Sequence, residues 1–284
     1  MADLRKLGII AGGGDLPVVL AEHCAASGAP YFVARVAPYA DPRLEKHPGT
    51  TDGLGAMGAR IEALRNAGCD AVVLLGQVPR PNFAALDLDE GARAMLPALL
   101  AAAPQGDDAL LRALLAEHEL AGFRVLGAEE AMADLLAPPG IWGAHAPVAH
   151  MNDLRLAAKV AAAIGAFDIG QGVVAAKGLI LAVEAQEGTD AMLRHVAELP
   201  QTLRGAPGAR HGVLVKRPKP IQERRIDLPT IGVRTIECAA EGGLAGVAVE
   251  AGGALAVRRD EIVAAADRLG LFVYGFSPEE VDAA

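Results

Sequence analysis

The sequence is poor in the residue types on which several common hydrolase mechanisms depend. Its only serines are Ser27 and Ser277, and neither lies in a Gly-x-Ser-x-Gly turn, which argues against serine-hydrolase chemistry. The seven histidines show no His-Glu-x-x-His motif or other paired spacing for a zinc ion. No Gly-x-x-x-x-Gly-Lys-Ser/Thr loop is present, which excludes a P-loop enzyme. Lysine, arginine and carboxylate side chains remain as candidates for the chemistry.

Further absences bear on the compartment and the partners. Cys24, Cys69 and Cys238 lie far apart and outside any Cys-x-x-Cys spacing, so neither a disulfide framework nor a zinc site is expected. No segment offers about 18 uninterrupted apolar residues, and no basic and apolar leader is recognisable, so we expect a cytoplasmic protein. The net charge is −9 and aromatic residues make up only 4%, which argues against a nucleic-acid partner.

What is present is the composition of a folded globular protein. The 284 residues include 52% hydrophobic and 21% charged residues, enough for two domains that each bury a core. In the first half, short apolar runs alternate with segments of helical periodicity, which predicts a Rossmann-like, parallel α/β sheet. The predicted strands are 7–11, 31–36 and 70–76, and the predicted helices are 16–26, 56–67, 90–103, 108–121 and 128–136.

The second half predicts a further α/β domain whose sheet is mixed. The break at Ala137-Pro-Pro-Gly140 indicates a linker over 138–149, between an N-terminal domain at 1–137 and a C-terminal domain at 150–284. A cleft between the domains would hold the active site. The predicted strands are 170–176, 179–183, 212–216, 235–240, 246–249, 254–257 and 272–276, and the predicted helices are 151–164, 191–198 and 259–269.

A basic loop is the most informative segment of the chain. Seven cations lie between positions 204 and 225, with Glu223 as the only acid, and Asp227 follows just before the Leu-Pro-Thr-Ile-Gly run that ends at Gly232. Lys and Arg side chains are what phosphate groups require, and one carboxylate among them is well placed to hold a divalent metal or direct a water. A solvated basic loop without a ligand is the alternative. The cations are Arg204, Arg210, Lys216, Arg217, Lys219, Arg224 and Arg225.

A second cluster of polar residues follows the predicted strand that ends at Val183. Glu184 and Glu187 lie in the turn, and Thr189 or Asp190 would cap the helix that comes next. Free N–H groups at a helix start bind anions, so Gly188 and Thr189 are candidates for a phosphate site. An ordinary helix cap explains Thr189 and Asp190 equally well, but it does not explain the two glutamates.

The glycine-rich turn after the first strand is an imperfect match to a dinucleotide fingerprint. Gly12-Gly-Gly14 supplies two glycines of Gly-x-Gly-x-x-Gly, but Pro17 stands at the third position, and Arg35 replaces the expected acid on the second strand. A redox cofactor is therefore disfavoured. A turn without a ligand and a turn that approaches a nucleotide remain equal alternatives.

Two other motifs of the N-terminal half are expected at the ligand edge of its sheet. Gln77 and Arg80 follow the third predicted strand directly, and ligands of parallel sheets bind outside the carboxyl ends of strands. Asp107 and Asp108 stand together at a predicted helix start, where capping accounts for one acid and the second is a candidate metal ligand or base.

Taken in order, several motifs resemble the LpxI family, the UDP-2,3-diacylglucosamine pyrophosphatases of lipid A assembly, over nearly the whole chain. The chain departs from the family at Lys219-Pro-Ile-Gln-Glu223, where Lys-Pro-Gly-Gln-Asp is expected, which leaves Glu223 without an assigned role. The motifs are Ile10 to Pro17, Gly76 to Phe83, Gly106 to Arg112, Gly170 to Val174, Glu184 to Leu193, Gly212 to Lys219, Asp227 to Gly232 and Gly243 to Glu250.

The resemblance implies hydrolysis of UDP-2,3-diacylglucosamine to UMP and 2,3-diacylglucosamine 1-phosphate, known as lipid X, with Mg²⁺ or Mn²⁺ as cofactor. It also implies transient contact with the inner-membrane surface and allows a homodimer. The alternatives are a nucleotide-sugar oxidoreductase and a non-catalytic regulator that binds a UDP-lipid. We assign catalysis to Asp227, Lys216 and Lys219, metal binding to Asp227, Asp108 and Glu184, and substrate binding to Gly13, Gly14, Asp15, Gln77, Arg80, Asp107, Gly188, Thr189, Asp190, Arg225 and Thr230.

Overall fold

A computed structural model describes residues 4–220, 223, 225 and 228–282, with the side chain of Asp282 left aside. Contacts between residues divide the chain into two compact units. The first unit extends to Ala133 and includes Glu223 and Arg225 of the basic loop, and the second comprises the other described residues. The basic loop therefore contributes residues to both units.

The first unit is built on a parallel sheet with the strand order β3-β2-β1-β4-β5. Its strands are β1 (Leu7–Ala11), β2 (Tyr31–Ala37), β3 (Gly49–Gly53), β4 (Ala71–Leu75) and β5 (Arg124–Leu126). Its helices are α1 (Asp15–Ser27), α2 (Met57–Asn66), α3 (Glu90–Ala102), α4 (Asp107–Leu120) and α5 (Ala128–Ala131). Every residue of β1 and β4 is buried, which fits central strands covered on both faces. The predicted parallel α/β sheet is confirmed.

The second unit contains a mixed sheet with the strand order β6-β13-β11-β9-β7-β8. The strands of the unit are β6 (Gly140–Trp142), β7 (Gly172–Ala176), β8 (Leu179–Val183), β9 (Val213–Lys216), β10 (Thr230–Ile231), β11 (Gly246–Glu250), β12 (Leu255–Ala256) and β13 (Phe272–Phe276), of which β10 and β12 form a separate parallel pair. Its helices are α6 (Met151–Ala166), α7 (Gly188–Glu198), α8 (Val233–Glu241), α9 (Arg259–Leu269) and α10 (Pro278–Asp282). β9, β11 and β13 are parallel, whereas β6 and β7 run against their neighbours. The predicted mixed sheet is also confirmed.

Two segments of the second unit differ from the sequence prediction. The strand predicted at 235–240 is wrong, because Val233–Glu241 forms α8 with Ile236, Ala239 and Ala240 on its buried side. Their spacing of three and four residues is helical, although the β-branched Thr235 and Ile236 favour a strand. The segment predicted as a linker contains β6, whose Trp142 is buried and pairs in register with Val273.

A tight turn joins β7 to β8. Lys177 and Gly178 both have positive φ, 54° and 77°, as the two central residues of a type I′ hairpin turn require. Asp153, in the first turn of α6, accepts hydrogen bonds from the backbone N–H groups of Lys177 at 3.0 Å and Gly178 at 2.7 Å. The carboxylate of α6 therefore holds the turn in place.

Among the described residues, no helix combines the length and the apolar character needed to cross a bilayer.

Candidate active site

The strand directions of the second sheet explain how two distant segments of the sequence meet. β7 runs antiparallel to both β8 and β9, so β8 and β9 are parallel and their carboxyl ends lie at the same edge. Lys216 ends β9, and Glu184 follows the last residue of β8. Gly172 at the start of β7 lies between them, because it pairs with Lys216 and its carbonyl accepts from the Glu184 N–H at 2.8 Å.

Gly172 leaves room for the Glu184 side chain, which folds over it. A Cβ atom at position 172 would lie 2.5 Å from Oε2 of Glu184, closer than side-chain packing allows. The absence of a side chain at position 172 therefore lets the Glu184 carboxylate lie above the strand and point toward Lys216.

Glu184, Thr189 and Lys216 form a buried hydrogen-bonded group that we call the Lys216 cluster. The Lys216 ammonium donates to Oγ1 of Thr189 at 2.7 Å, and the Thr189 hydroxyl donates to Oε1 of Glu184 at 2.5 Å. Nζ of Lys216 lies 3.8 Å from the same carboxylate oxygen. Lys216 is 4% exposed and Glu184 is 7% exposed, so water screens their charges only weakly. The structure thus brings together three of the residues singled out in the sequence.

The Lys216 cluster keeps one polar atom unpaired. Oε2 of Glu184 is buried and has no hydrogen-bond partner among the described residues. Lys216 makes a longer bond, of 3.4 Å, to the backbone carbonyl of Thr230, whereas the Thr230 hydroxyl donates to the carbonyl of Leu228 at 3.1 Å. Because buried carboxylate oxygens are rarely left unsatisfied, Oε2 of Glu184 is a candidate for contact with a ligand or metal.

Helix α7 begins two residues earlier than a cap at Thr189 would require, and three residues earlier than a cap at Asp190 would require. Gly188 is its first residue, with φ of 77°, and Glu187 precedes it as the N-cap. Thr189 and Asp190 therefore belong to the first turn, and Asp190 lies 3.7 Å from Arg234, both of them half exposed. The hydroxyl of Thr189 is thereby turned toward Glu184 and Lys216 instead of the helix end.

Two cations of the basic loop in the second unit, Lys219 and Arg217, have carboxylate partners. Nζ of Lys219 lies 2.6 Å from Oδ1 of Asp168, and Nε of Arg217 lies 3.2 Å from Oε2 of Glu250, all four side chains being largely buried. Arg204 and Arg210 instead donate to backbone carbonyls. These four described cations therefore have fixed partners, unlike those of the solvated basic loop that the sequence allowed as an alternative.

Arg225 belongs to an ion-pair network of the first unit. Its guanidinium donates to Glu223 at 3.0 Å and to Glu119 at 2.7 Å. The hydrogen bond from Arg225 lowers the pKa of Glu223 below its usual value. Asp108 accepts from Arg112 at 2.6 Å and from the backbone N–H of Glu223 at 2.7 Å. Asp108 therefore anchors a described part of the basic loop to the start of α4.

The other candidates of the first unit form a second group at the carboxyl ends of β1 and β4. The backbones of Gly13 and Gln77 exchange hydrogen bonds of 2.9 and 3.0 Å, which join the glycine-rich turn to the loop after β4. Arg80 donates to Oδ1 of Asp107 at 2.9 Å. Asp15 opens α1 after Gly14 and accepts from Arg43 at 2.5 Å. These contacts agree with the prediction that the motifs lie at one edge of the sheet.

Each described candidate for metal binding has hydrogen-bond partners in its own unit. Asp227, the main candidate, lies outside the described residues. Glu184 belongs to the Lys216 cluster and Asp108 to the network around Arg225. Within residues 4–220, 223, 225 and 228–282, no group of three or more His, Cys, Asp or Glu side chains is arranged to hold a metal ion.

Sequence reasoning missed the acids that pair with the cations. Asp168 follows the end of α6 with φ of 56°, and Glu250 ends β11. Neither residue lies in a recognisable motif of charged neighbours. Glu250 ends the motif from Gly243 to Glu250 and stands at the carboxyl end of a buried parallel strand, and these are the two signals that could have identified it.

Comparison with known proteins covers nearly the whole chain. Family models described as the LpxI N-terminal domain and the LpxI C-terminal domain match residues 6–135 and 138–274. The chain is 54% identical over 278 residues to UDP-2,3-diacylglucosamine pyrophosphatase LpxI of Caulobacter vibrioides, covering 98% of this chain and 99% of the relative. A solved structure of CobK precorrin-6A reductase aligns over 96% of this chain and 90% of its own, at 15% identity and a TM-score of 0.34, which is too low to support an argument. By its two matching domains and its identity to this relative, the chain belongs to the LpxI family.

Proposed function

We propose that this chain hydrolyses the pyrophosphate bond of UDP-2,3-diacylglucosamine to give UMP and 2,3-diacylglucosamine 1-phosphate. The observation that carries the proposal is the 54% identity, over 98% of the chain, to a relative named for this activity. Water supplies the oxygen that bonds to phosphorus, the bridging P–O bond breaks, and the released phosphate oxygen keeps the electron pair. The reaction consumes no oxidant or reductant, which fits a chain whose glycine-rich turn departs from the dinucleotide pattern.

The Lys216 cluster supports this chemistry through its charge and its position. An ammonium group held at a strand end can neutralise a diphosphate oxygen, and the hydroxyl of Thr189 fixes its direction. In the proposed mechanism Lys216 contacts the diphosphate, and Lys219 leaves Asp168 to bind a second phosphate oxygen. Gly188 and Asp190 would border the same anion, because they lie in the first turn of α7.

A hard divalent cation, Mg²⁺ or Mn²⁺, is the proposed cofactor. Its proposed ligands are Asp227 together with Asp108 and Glu184, and the buried, unpartnered Oε2 of Glu184 is the kind of oxygen donor such ions prefer. When bound, the ion would polarise the phosphoryl group and lower the pKa of a water molecule. The residues of the chain would then orient the substrate and place the water.

Removal of divalent metal should abolish hydrolysis. Exhaustive dialysis against EDTA is expected to reduce turnover to background, and added Mg²⁺ or Mn²⁺ should restore it, because the proposed ligands are carboxylates and phosphate oxygens. The measurement is release of UMP, with Zn²⁺ and Ca²⁺ as comparison ions. Full activity after chelation would mean that lysine and arginine act without a metal.

The remaining proposals concern location and partners. We propose that the protein is cytoplasmic and contacts the inner-membrane surface transiently. The substrate and its product lipid X carry apolar acyl chains, which partition into membranes. A homodimer is a further proposal, and analytical ultracentrifugation at several concentrations tests it.

Incubation with substrate and Mg²⁺, followed by mass spectrometry, tests the function itself. We expect UMP and 2,3-diacylglucosamine 1-phosphate in equal amounts. Water labelled with ¹⁸O would show which product receives the new oxygen and therefore which phosphorus is attacked. Tight binding of the lipid without any product would support the non-catalytic regulator, and a bound nicotinamide or flavin spectrum would support the oxidoreductase.

A further inference from the structure

Helix α6 ends in a backbone turn where glycine is the usual residue. Asp168, the second residue after the helix, has φ of 56°. Its N–H donates to the carbonyl of Gly165 at 3.1 Å, and the N–H of Ile169 donates to the carbonyl of Ile164 at 3.1 Å. These two bonds form the Schellman arrangement, in which glycine usually supplies the left-handed residue. Helices α1 and α9 do end with glycine in that conformation.

The charge of Asp168 is unfavourable at this position as well. The carboxyl end of a helix carries about half an elementary negative charge, which favours a cation and opposes an anion. The aspartate therefore departs from two local preferences, one in its φ and one in its charge. Departures of this kind are expected where a residue serves a function, so the role of the carboxylate lies in what it binds.

The Asp168 carboxylate binds Lys219. Nζ of Lys219 lies 2.6 Å from Oδ1 of Asp168, and the Lys219 and Asp168 side chains are 12% and 20% exposed, so water weakens their attraction only in part. Gly165 allows the chain at Lys219 to approach the helix, because a Cβ atom at position 165 would lie 3.2 Å from Cα of Lys219. The end of α6 thus accommodates both the backbone and the charge of Lys219.

The segment that follows Asp168 runs beside the first residues of the basic loop. Gly172 pairs with Lys216, and the carbonyl of Gln171 accepts from the N–H of Arg217 at 3.1 Å. Lys219 comes three residues after Lys216, so their Cα atoms are at most about 11 Å apart. The Asp168 carboxylate therefore lies at the edge of the proposed diphosphate site.

We propose that Asp168 is a counter-ion that holds Lys219 in the empty enzyme and releases it when the substrate diphosphate binds. The inference rests on the proposed function. Carboxylate and phosphate oxygens accept hydrogen bonds from the same ammonium group, so the exchange involves no covalent step. Binding of the diphosphate breaks one charge-assisted hydrogen bond and brings an anion toward a carboxylate. Both effects lower the affinity for anions, and Asp168 is their source.

The exchange has a use in the reaction cycle. Hydrolysis divides the diphosphate, so each product carries one phosphate and retains only part of the contacts that held the substrate. Asp168 then competes with a product phosphate for Lys219 and thereby favours release. A site whose cations had no counter-ion would bind its products more tightly, which would slow turnover.

Asp168→Asn tests the proposal, since asparagine has the same size, tolerates a left-handed φ and carries no charge. Binding of inorganic pyrophosphate is measured by calorimetry at one fixed Mg²⁺ concentration. We expect Asp168→Asn to bind pyrophosphate at least about tenfold more tightly than wild type, because no charge-assisted bond has to break. The matched control is Glu198→Gln, which removes the same charge from an exposed position at the far end of α7 and should bind like wild type.

Affinity of Asp168→Asn equal to or weaker than that of wild type would overturn the proposal. A fall in pyrophosphate affinity would mean that the carboxylate holds Lys219 in its binding position, and absence of binding by both proteins would mean that the lysines form no diphosphate site. Asp168→Gly covers the case in which Asp168→Asn fails to fold, because glycine is the usual residue of this turn. It should also bind pyrophosphate more tightly than wild type.

A double variant shows whether Asp168 acts through Lys219. In a Lys219→Met background, Asp168→Asn should leave pyrophosphate affinity unchanged, because the cation that the carboxylate occupies is already absent. The same tenfold gain in that background would mean that Asp168 only repels anions at a distance, and the proposed exchange would be wrong.

Because pyrophosphate binding is measured apart from turnover, failure of the inference is distinguishable from failure of the proposed function. If wild type releases UMP from the lipid substrate but Asp168→Asn binds pyrophosphate no more tightly, the function stands and the exchange is wrong. If Asp168→Asn binds pyrophosphate more tightly but wild type releases no UMP, the exchange stands and the proposed hydrolysis is wrong.

Discussion

Replacement of Asp227 by alanine should lower hydrolysis of UDP-2,3-diacylglucosamine at least about a hundredfold, the scale expected when a group that directs water or stabilises charge is removed. Asp227 is the carboxylate that follows the cations of the basic loop. Turnover is measured as UMP release under saturating Mg²⁺. Substrate should still bind, because Lys216 and the other cations remain.

Two variants sharpen the test of Asp227. Asp227→Asn keeps the size of the side chain and removes its charge, and it should be nearly as inactive as the alanine variant. Glu62→Ala removes an exposed acid of α2, far from the basic loop in sequence, and should keep full activity. Near-normal turnover of a folded Asp227→Ala protein would remove this residue from the mechanism.

Lys216→Met should produce the second large effect, on both stability and catalysis. The variant leaves the buried Glu184 charge without the ammonium group that lies 3.8 Å away, and loss of one partner of a buried pair costs about 3–5 kcal/mol in free energy of unfolding. It should also lower turnover about a hundredfold, because the diphosphate loses a fixed positive charge. Urea denaturation and UMP release measure the two effects separately.

A double variant separates structure from catalysis in the Lys216 cluster. Lys216→Met combined with Glu184→Gln removes both charges, so the free energy of unfolding should recover most of its loss. Activity should not recover, because the diphosphate still lacks the charge of Lys216. Recovery of both quantities together would mean that Lys216 only stabilises the fold. Glu184→Gln alone tests whether the carboxylate positions Lys216, and it should lower the rate of turnover.

The strands and helices with clear periodicity could be predicted from the sequence, whereas the short polar elements could not. β1, β4 and β9 are short buried runs of apolar residues, and their strand character follows directly from composition. β3 reads Gly-Thr-Thr-Asp-Gly and gains its strand structure only by pairing with β2. α8 depends in the same way on its core contacts, which override the strand preference of Thr235 and Ile236.

The candidate site was predictable in its residue types but not in its partners. Glu184, Thr189 and Lys216 were singled out separately, yet no sequence pattern shows that one hydroxyl links the other two. The three residues come together because β8 and β9 flank β7 and run in the same direction. That arrangement is set by the order of strands in the sheet. Asp168 and Glu250 were missed for the same reason, because ion pairs over long sequence separations depend on the fold.

The turn at Lys177 and Gly178 affects the position of Glu184, although the two lie far apart along β8. It lies roughly 20 Å along the strand from Glu184, at the opposite end of the sheet. Pairing of β8 with a shift of one residue would turn every side chain of the strand to the other face and carry Glu184 away from Lys216. Asp153 holds the turn and so fixes the register of β8. It therefore keeps Glu184 beside Lys216, although it contacts neither residue. Gly178→Val puts a β-branched side chain at a position with positive φ, which is strained. We expect this substitution to shift Glu184 relative to Lys216, although position 178 contacts neither residue.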